Sequence, residues 1–503
     1  MRGFCLPVAG GALQLFFRPL YHIGMSLPSR LVAIATALSL LGSATVTTAH
    51  ELPNLGTVAE SALSQADENR IGRDILRSLR DEGDVIDDAE VVDYLNDLGR
   101  TLAATAQTPQ LQFNFFAVND GSMNAFALPG GVIGVHSGLL LTAQDEAEVA
   151  AVLAHEIAHV TQRHLARMQE NQGRSQLWLL AAVLAGALAG ARSSNSDATF
   201  AAINAGVGLS VSQQLAYSRD FEREADRLGM QYLAAAGYDP RAMPAFFQRL
   251  QQEQRHNDNN SFGFLRTHPL TVERISESQS RAQAYALKMR PSSTDFLLMR
   301  EKLRVVTLGT ADAGHYYQQA LAAGRYLDKG ATLYGQARAW LAQGNVAAAR
   351  AALPALQQAL GNHPSVLLLG GDIQRASGQL AAAVQTYQQA MQTWPARRGL
   401  RLALIDTLLQ AGRAADARQA IDQALQRYGD DPQLWRLAAR SYGEGDPLRY
   451  HAALGNAFFF EQKFDSARLQ YQLASRAKGD DFYLRSAIEA RLRELDAQRQ
   501  SAP

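Results

Sequence analysis

The 503-residue chain has a single cysteine, Cys5, so no disulfide framework can hold it together. It also lacks an excess of either charge. Its 48 Lys and Arg are matched by 48 Asp and Glu, which removes any bulk pull toward nucleic acid or an anionic membrane, so no nucleic-acid role is expected. Long apolar runs are missing too: the stretch 177–191 falls short of the roughly 20 residues that a membrane-spanning helix needs. Together with the small-residue stretch that ends at Leu209, it reads either as core or as a mobile lid or membrane-facing hairpin. Its glycines argue against a rigid packed helix, so we expect peripheral membrane contact or lid behaviour over 177–209.

Scarce cysteine does not assign a compartment, but the N-terminus does. Met25-Ser26-Leu27-Pro28-Ser29-Arg30 precedes an apolar run over 31–41 and then small residues through Ala49, the n-, h- and c-regions of a signal peptide. We expect Met25 to be the true start and cleavage after Ala49, with Ala44 the alternative. The leader thus covers 1–49.

The most informative residues are His155-Glu156-Ile157-Ala158-His159. On a helix, positions four apart lie one turn above each other, so both imidazoles aim at one point. Two such histidines suit a zinc ion, and the intervening Glu156 suits a general base that takes a proton from water. A second helical stretch, Ser218 to Asp226, sets Glu222 and Asp226 four apart on one face. Glu222 is the expected third ligand, because a catalytic zinc takes three protein ligands and keeps one position open. Asp226 is counted with the catalytic group as the acceptor for the free ring N–H of a ligand histidine. The bland alternative pairs Glu222 with Arg219 and Asp226 with Arg223 on an exposed helix.

These motifs, with Asn124-Ala125-Phe126-Ala127-Leu128-Pro129-Gly130-Gly131 upstream, resemble the zinc metalloendopeptidases related to the CAAX prenyl protease, over roughly residues 60 to 290. The resemblance implies one Zn2+ per chain held by His155, His159 and Glu222, with Glu156 catalytic. Some accounts of the family make the Asp226 position a proton donor. Extended to the leader and the repeats described below, it implies a periplasmic enzyme of Gram-negative bacteria that acts on unfolded or stalled outer-membrane proteins beside the barrel assembly machinery.

Between the leader and the histidine helix, 58–104 has helical periodicity and is expected to wrap the catalytic pair. Residues 111–118 read as a strand, and 125–135 as a second strand-rich stretch in which Gly130 and Gly131 mark a tight turn or a bare backbone approach. The segment 124–135 is either an ordinary hairpin or an exposed edge that holds a peptide extended by main-chain hydrogen bonds. His268, in Thr267-His268-Pro269, lies soon after the third-ligand helix. It either bonds within its loop or fills the open position as a regulatory fourth ligand, which would keep the enzyme latent until the loop moves. Thr-His-Pro followed by Arg274 also recurs in the resembled family. His164 and His136 read as structural.

Beyond Pro291 the character changes. Gly344, Gly378 and Gly412 recur every 34 residues, with Ala349, Ala383 and Ala417 in phase, followed by Leu353, Tyr387 and Ile421. That is the period of tetratricopeptide (TPR) repeats, whose stacked helix pairs present a surface suited to another protein. A fourth unit carries Ala467, Tyr471 and Ala474, displaced by an insertion, and a polar last helix could cap the stack. The expected fold is mainly α: an α+β zincin-type (gluzincin) metalloprotease domain over 50–290, a linker or helical connection over 291–330, and an α-helical TPR solenoid over 331–500. The expected function is cutting by the first half and recruitment by the second. The competing reading is a TPR chaperone or assembly scaffold with a latent metal site.

Overall fold

In this computed structural model, residues 64–170, 219–256 and 263–500 are described. The leader expected over 1–49 and the stretch 177–209 lie outside the described residues. Among the described residues, no helix is long and apolar enough to cross a membrane.

The chain runs through α1 (Gln65–Asp81), β1 (Val85–Ile86), α2 (Ala89–Ala103), β2 (Asn114–Val118), β3 (Ala125–Leu128), β4 (Val132–His136), α3 (Ser137–Thr142) and α4 (Glu146–Thr161). Among the described residues there follow α5 (His164–Glu170), α6 (Arg219–Ala235), α7 (Ala242–His256), α8 (Gly263–Thr267) and α9 (Val272–Gln283). Helix α4 begins where Asp145, in extended backbone, accepts a hydrogen bond from the Glu148 amide. It is rich in alanine and contains no Gly or Pro, and 149–159 are all buried. A helix enclosed on every side needs no polar face, which is why its sequence shows no apolar stripe. Helix α6 does show a buried face: Glu222, Ala225, Asp226, Gly229, Met230 and Leu233 follow helical spacing, and Tyr232 and Ala234 are also buried near its end. A Cβ at Gly229 would stand 3.0 Å from the His155 Cα and N, so glycine there lets α6 lie directly on the backbone that carries the first histidine.

The sheet has the order β1-β2-β4-β3, with β2 and β4 parallel and the outer pairs antiparallel. The stretch 125–135 is two strands in the register Ala125↔Val135 and Leu128↔Val132. Between them, Gly131 has φ 81°, and a Cβ on it would sit 2.3 Å from the Gln112 carbonyl. The position therefore serves as a turn and as a close backbone approach at once. Strand β3 is an edge of the sheet and packs beside α4.

The second half is helical: α10 (Thr294–Ala322), α11 (Lys329–Ala342), α12 (Val346–Leu360), α13 (Pro364–Ala376), α14 (Leu380–Thr393), α15 (Arg398–Gln410), α16 (Ala414–Leu425), α17 (Pro432–Tyr442), α18 (Pro447–Phe460), α19 (Phe464–Arg476) and α20 (Phe482–Gln500). The three phased glycines close α11, α13 and α15 in the same way. Gly378, at φ 75°, donates to the Arg375 carbonyl while Gln379 donates to that of Gln374; the bonds at Gly344 and Gly412 repeat this pattern. The fourth unit makes the same turn with Gln462 at φ 61°, and Lys463 donates to the Phe458 carbonyl. Ala349, Ala383, Ala417 and Ala467 are fully buried. Tyr387 and Tyr471 lie against Gly371 and Gly455, where a Cβ would come within 2.2 and 2.4 Å of their rings.

The repeats are in contact with the protease half. The Arg398 amide donates to Asp93 of α2 at 3.1 Å, Gln433 to Asp87 at 2.7 Å, and Arg77 of α1 to the Gln462 carbonyl at 3.1 Å. Lys302 of α10 pairs with Asp88 at 2.8 Å and Glu90 at 2.5 Å. Helix α2 thus packs on α4, the histidine helix, with one side and on α15 with another.

Candidate metal centre

Four segments meet at one buried point. Helix α4 supplies His155, Glu156 and His159, α6 supplies Glu222 and Asp226, the turn after α8 supplies His268, and α9 supplies Arg274; all are buried. The donor atoms of His155, His159, Glu222 and His268 lie within 4.8 Å of one another. His155 Nε2 is 3.0 Å from His159 Nε2 and 3.3 Å from His268 Nδ1. Glu222 Oε1 is 2.9 Å from His268 Nδ1 and 3.4 Å from His159 Nε2. A tetrahedral ion with bonds of about 2.0–2.1 Å spaces its ligand atoms about 3.3 Å apart, so these separations fit one. Three ring nitrogens and a carboxylate oxygen that converge on one point form a donor set that a single cation can satisfy together.

The surroundings fix the carboxylates. Arg274 donates to both oxygens of Asp226 at 2.8 Å and pairs with Glu222 Oε2 at 2.6 Å, and its Nη1 also donates to the Pro269 carbonyl beside His268. Asp226 Oδ1 lies 3.1 Å from His155 Nδ1, the nitrogen that faces away from the donor set. Burial lowers the proton affinity of His155, but the Asp226 and Glu222 carboxylates outweigh it and raise its pKa to about 10. Burial drives His159 well below the usual imidazole value. Burial also works against an ionised Glu222, yet the His268, His155 and His159 rings hold its pKa well below the ordinary carboxylate range. Glu156 goes the other way, raised chiefly by burial, with His268 Nε2 3.3 Å from its Oε1.

All six residues singled out from the sequence, His155, Glu156, His159, Glu222, Asp226 and His268, come together here. The pairing of Asp226 with Arg223 does not occur; Arg223 faces Asp220 instead, at 3.5 Å. His136 bonds Ser122 at 2.8 Å in the sheet region and is not among the clustered donors. Two contributions were not foreseen. Arg274 had signalled only nearness to the site, and its clamp on two carboxylates needed the third dimension. An uninterrupted helix past His159 would carry His164 off the ligand face. The helix ends at Thr161 and Arg163 takes the left-handed conformation (φ 51°), which brings His164 Nδ1 to 2.8 Å from His159 Nδ1.

A buried His-Glu-x-x-His helix opposite an acidic helix, followed by helix-pair repeats, defines a metalloprotease joined to a tetratricopeptide array. Residues 91–282 match Peptidase family M48, and 374–441 match a tetratricopeptide repeat. The beta-barrel assembly-enhancing protease of Escherichia coli is 31% identical over 460 residues, 90% of each chain. A provisionally named counterpart in Vibrio cholerae is 44% identical over 254 residues, 50% of this chain and 52% of that one. The mitochondrial metalloendopeptidase OMA1 of Arabidopsis thaliana is 30% identical over 241 residues, 47% of this chain and 45% of that one. The chain belongs to the beta-barrel assembly-enhancing protease family.

Proposed function

We propose that this metalloprotease is a periplasmic zinc metalloendopeptidase that cleaves unfolded or misassembled outer-membrane β-barrel proteins during their assembly. The observation that carries the reading is the convergence of the His155, His159 and Glu222 donors beside Glu156, at tetrahedral spacing. The names of the bacterial relatives support the barrel-assembly context, and the signal-peptide pattern supports the compartment. We assign the leader to 1–49, the protease domain to 50–290, the connection to 291–330 and the array to 331–500, with the array recruiting clients or the barrel assembly machinery.

His155, His159 and Glu222 would hold one zinc ion per chain. When bound, the ion supplies Lewis acidity, bringing the pKa of a water to about 7 and polarising the scissile carbonyl. Glu156 takes the proton from the attacking water and later delivers it to the departing amine. Its buried setting makes it a stronger base than an exposed carboxylate, as this task requires. Asp226 holds His155 in the tautomer that presents Nε2, and Arg274 keeps the Asp226 carboxylate aimed. The edge strand β3 would hold a client peptide extended through its main chain. A cavity lined by Ala127, Leu128, Gly130, His159 and Arg163 supports that placement.

His268 takes the place that water and substrate need, so the resting enzyme is latent until its loop withdraws. The same position favours a second reading, an assembly scaffold whose metal site stays closed. Digestion of a denatured outer-membrane barrel protein by the zinc-loaded full chain and by its His268→Ala variant tests the proposal. Cleavage that rises in the variant supports a latent protease. Rescue of barrel assembly by Glu156→Gln as complete as by wild type, with no cleavage in either form, would favour the scaffold.

A further inference from the structure

We propose that His164 and Glu224 form a positioning relay for His159, an inference that rests on the metal-centre reading above. The two histidines of α4 are supported unequally. His155 Nδ1 faces the Asp226 carboxylate directly, at 3.1 Å. His159 Nδ1 instead meets another imidazole, His164 Nδ1, at 2.8 Å. His164 Nε2 lies 3.2 Å from Glu224 Oε2, and Arg167 Nη1 donates to that same oxygen at 2.9 Å. The His164 ring is fully buried and lies flat against Phe221, with centroids 4.5 Å apart and planes 11° apart, so its plane is set.

The proton positions follow from the order of donors and acceptors along this path. A His159 that offers Nε2 to an ion carries its proton on Nδ1. That N–H must donate to His164 Nδ1, which is therefore the bare nitrogen of a neutral ring. The His164 proton then sits on Nε2 and is directed at the Glu224 carboxylate, which accepts from Arg167 on the same oxygen. Both N–H bonds of the relay point outward, and the negative end of the chain lies beyond the second ring. The arrangement does for His159, through one intervening imidazole, what Asp226 does for His155: it fixes the tautomer and the ring orientation and makes the coordinating nitrogen more basic. His164 touches neither water nor scissile bond in this scheme and is a positioning residue. The left-handed Arg163 is what brings it there, since an uninterrupted helix would carry position 164 around to another face.

The test is zinc affinity of the full chain, read by competition with a chromophoric chelator, for wild type, His164→Leu, His164→Asn and Glu224→Gln. His164→Leu should weaken zinc binding by about 10- to 100-fold. His164→Asn places an amide oxygen where Nδ1 accepts, and should recover most of that loss. Glu224→Gln, at a partly exposed position, should fall between the two. Equal affinity for His164→Leu and wild type overturns the relay, as does an Asn variant as weak as the Leu variant, because then only the volume of the ring matters. If circular dichroism shows that His164→Leu does not fold, Glu224→Gln decides, and unchanged affinity there overturns the proposal. A wild-type chain that binds no zinc would instead overturn the metal-centre reading, an outcome visible without any variant.

Discussion

The two halves of the molecule bury different chemistry. Around α4 and α6 the interior holds imidazoles, carboxylates and the Arg274 guanidinium, each tied to others from separate segments. In the array the interior is mainly aliphatic, with alanine prominent, and tyrosine rings lie directly against glycines. The first half is held at its centre by charges that cannot be removed one at a time without stranding a partner. The second is held by a steric unit repeated at one period, in which each helix pair depends mainly on its neighbours. Substitutions at the centre should therefore have large effects on chemistry or on the whole domain, and those in the array graded, local effects.

The largest contrast should come from Glu156→Gln. Removing the proposed general base should cut hydrolysis of an unfolded protein by about 10²- to 10⁴-fold while metal content stays near wild type, as read by elemental analysis alongside a peptide assay. His155→Ala should lose both. Retained cleavage in the Gln variant would remove Glu156 from the chemistry.

Arg274→Met comes next. It leaves the Glu222 and Asp226 carboxylates buried without their cation, and breaking a buried pair in this way costs about 3–5 kcal/mol. The urea midpoint of the metal-free chain should fall accordingly. A shift no larger than that of a surface arginine substitution would show that the clamp is not structural.

In the array, Gly371→Ala drives a methyl into the Tyr387 ring. Overpacking of this kind costs about 1–3 kcal/mol. Limited proteolysis of the repeats should accelerate, with no change in zinc content; loss of zinc would mean that the halves are coupled more tightly than their chemistry implies. The smallest effect is a gain. Gln462 holds a left-handed conformation that costs a side-chain-bearing residue about 1–2 kcal/mol, so Gln462→Gly should raise the thermal midpoint of the array slightly. A lower midpoint would show that the Gln462 side chain contributes more than its backbone costs.

The same contrast explains what could be read from the chain alone. Local periodicities carry through: four-residue spacing placed His155 with His159 and Glu222 with Asp226, and the recurrence at 344, 378 and 412 corresponds to three glycine-closed turns of one geometry. Where a repeat replaces its signature residue, as at Gln462, the turn forms without a glycine to mark it. Features created by chain reversal were hidden for a related reason. His164 changes face because one residue leaves helical geometry, and Arg274 reaches two carboxylates 48 and 52 positions earlier in the sequence (274 − 226 and 274 − 222). The contacts of α2 with the repeats likewise depend on docking between distant segments.

In the proposed centre, side chains from three separate segments share one ion. Zinc K-edge X-ray absorption on the zinc-loaded full chain measures this directly. The expected shell is four-coordinate, with three imidazole nitrogens and one carboxylate oxygen at about 2.0–2.1 Å and one nitrogen lost in His268→Ala. A shell without histidine nitrogen, or a chain that takes up no zinc, would contradict it.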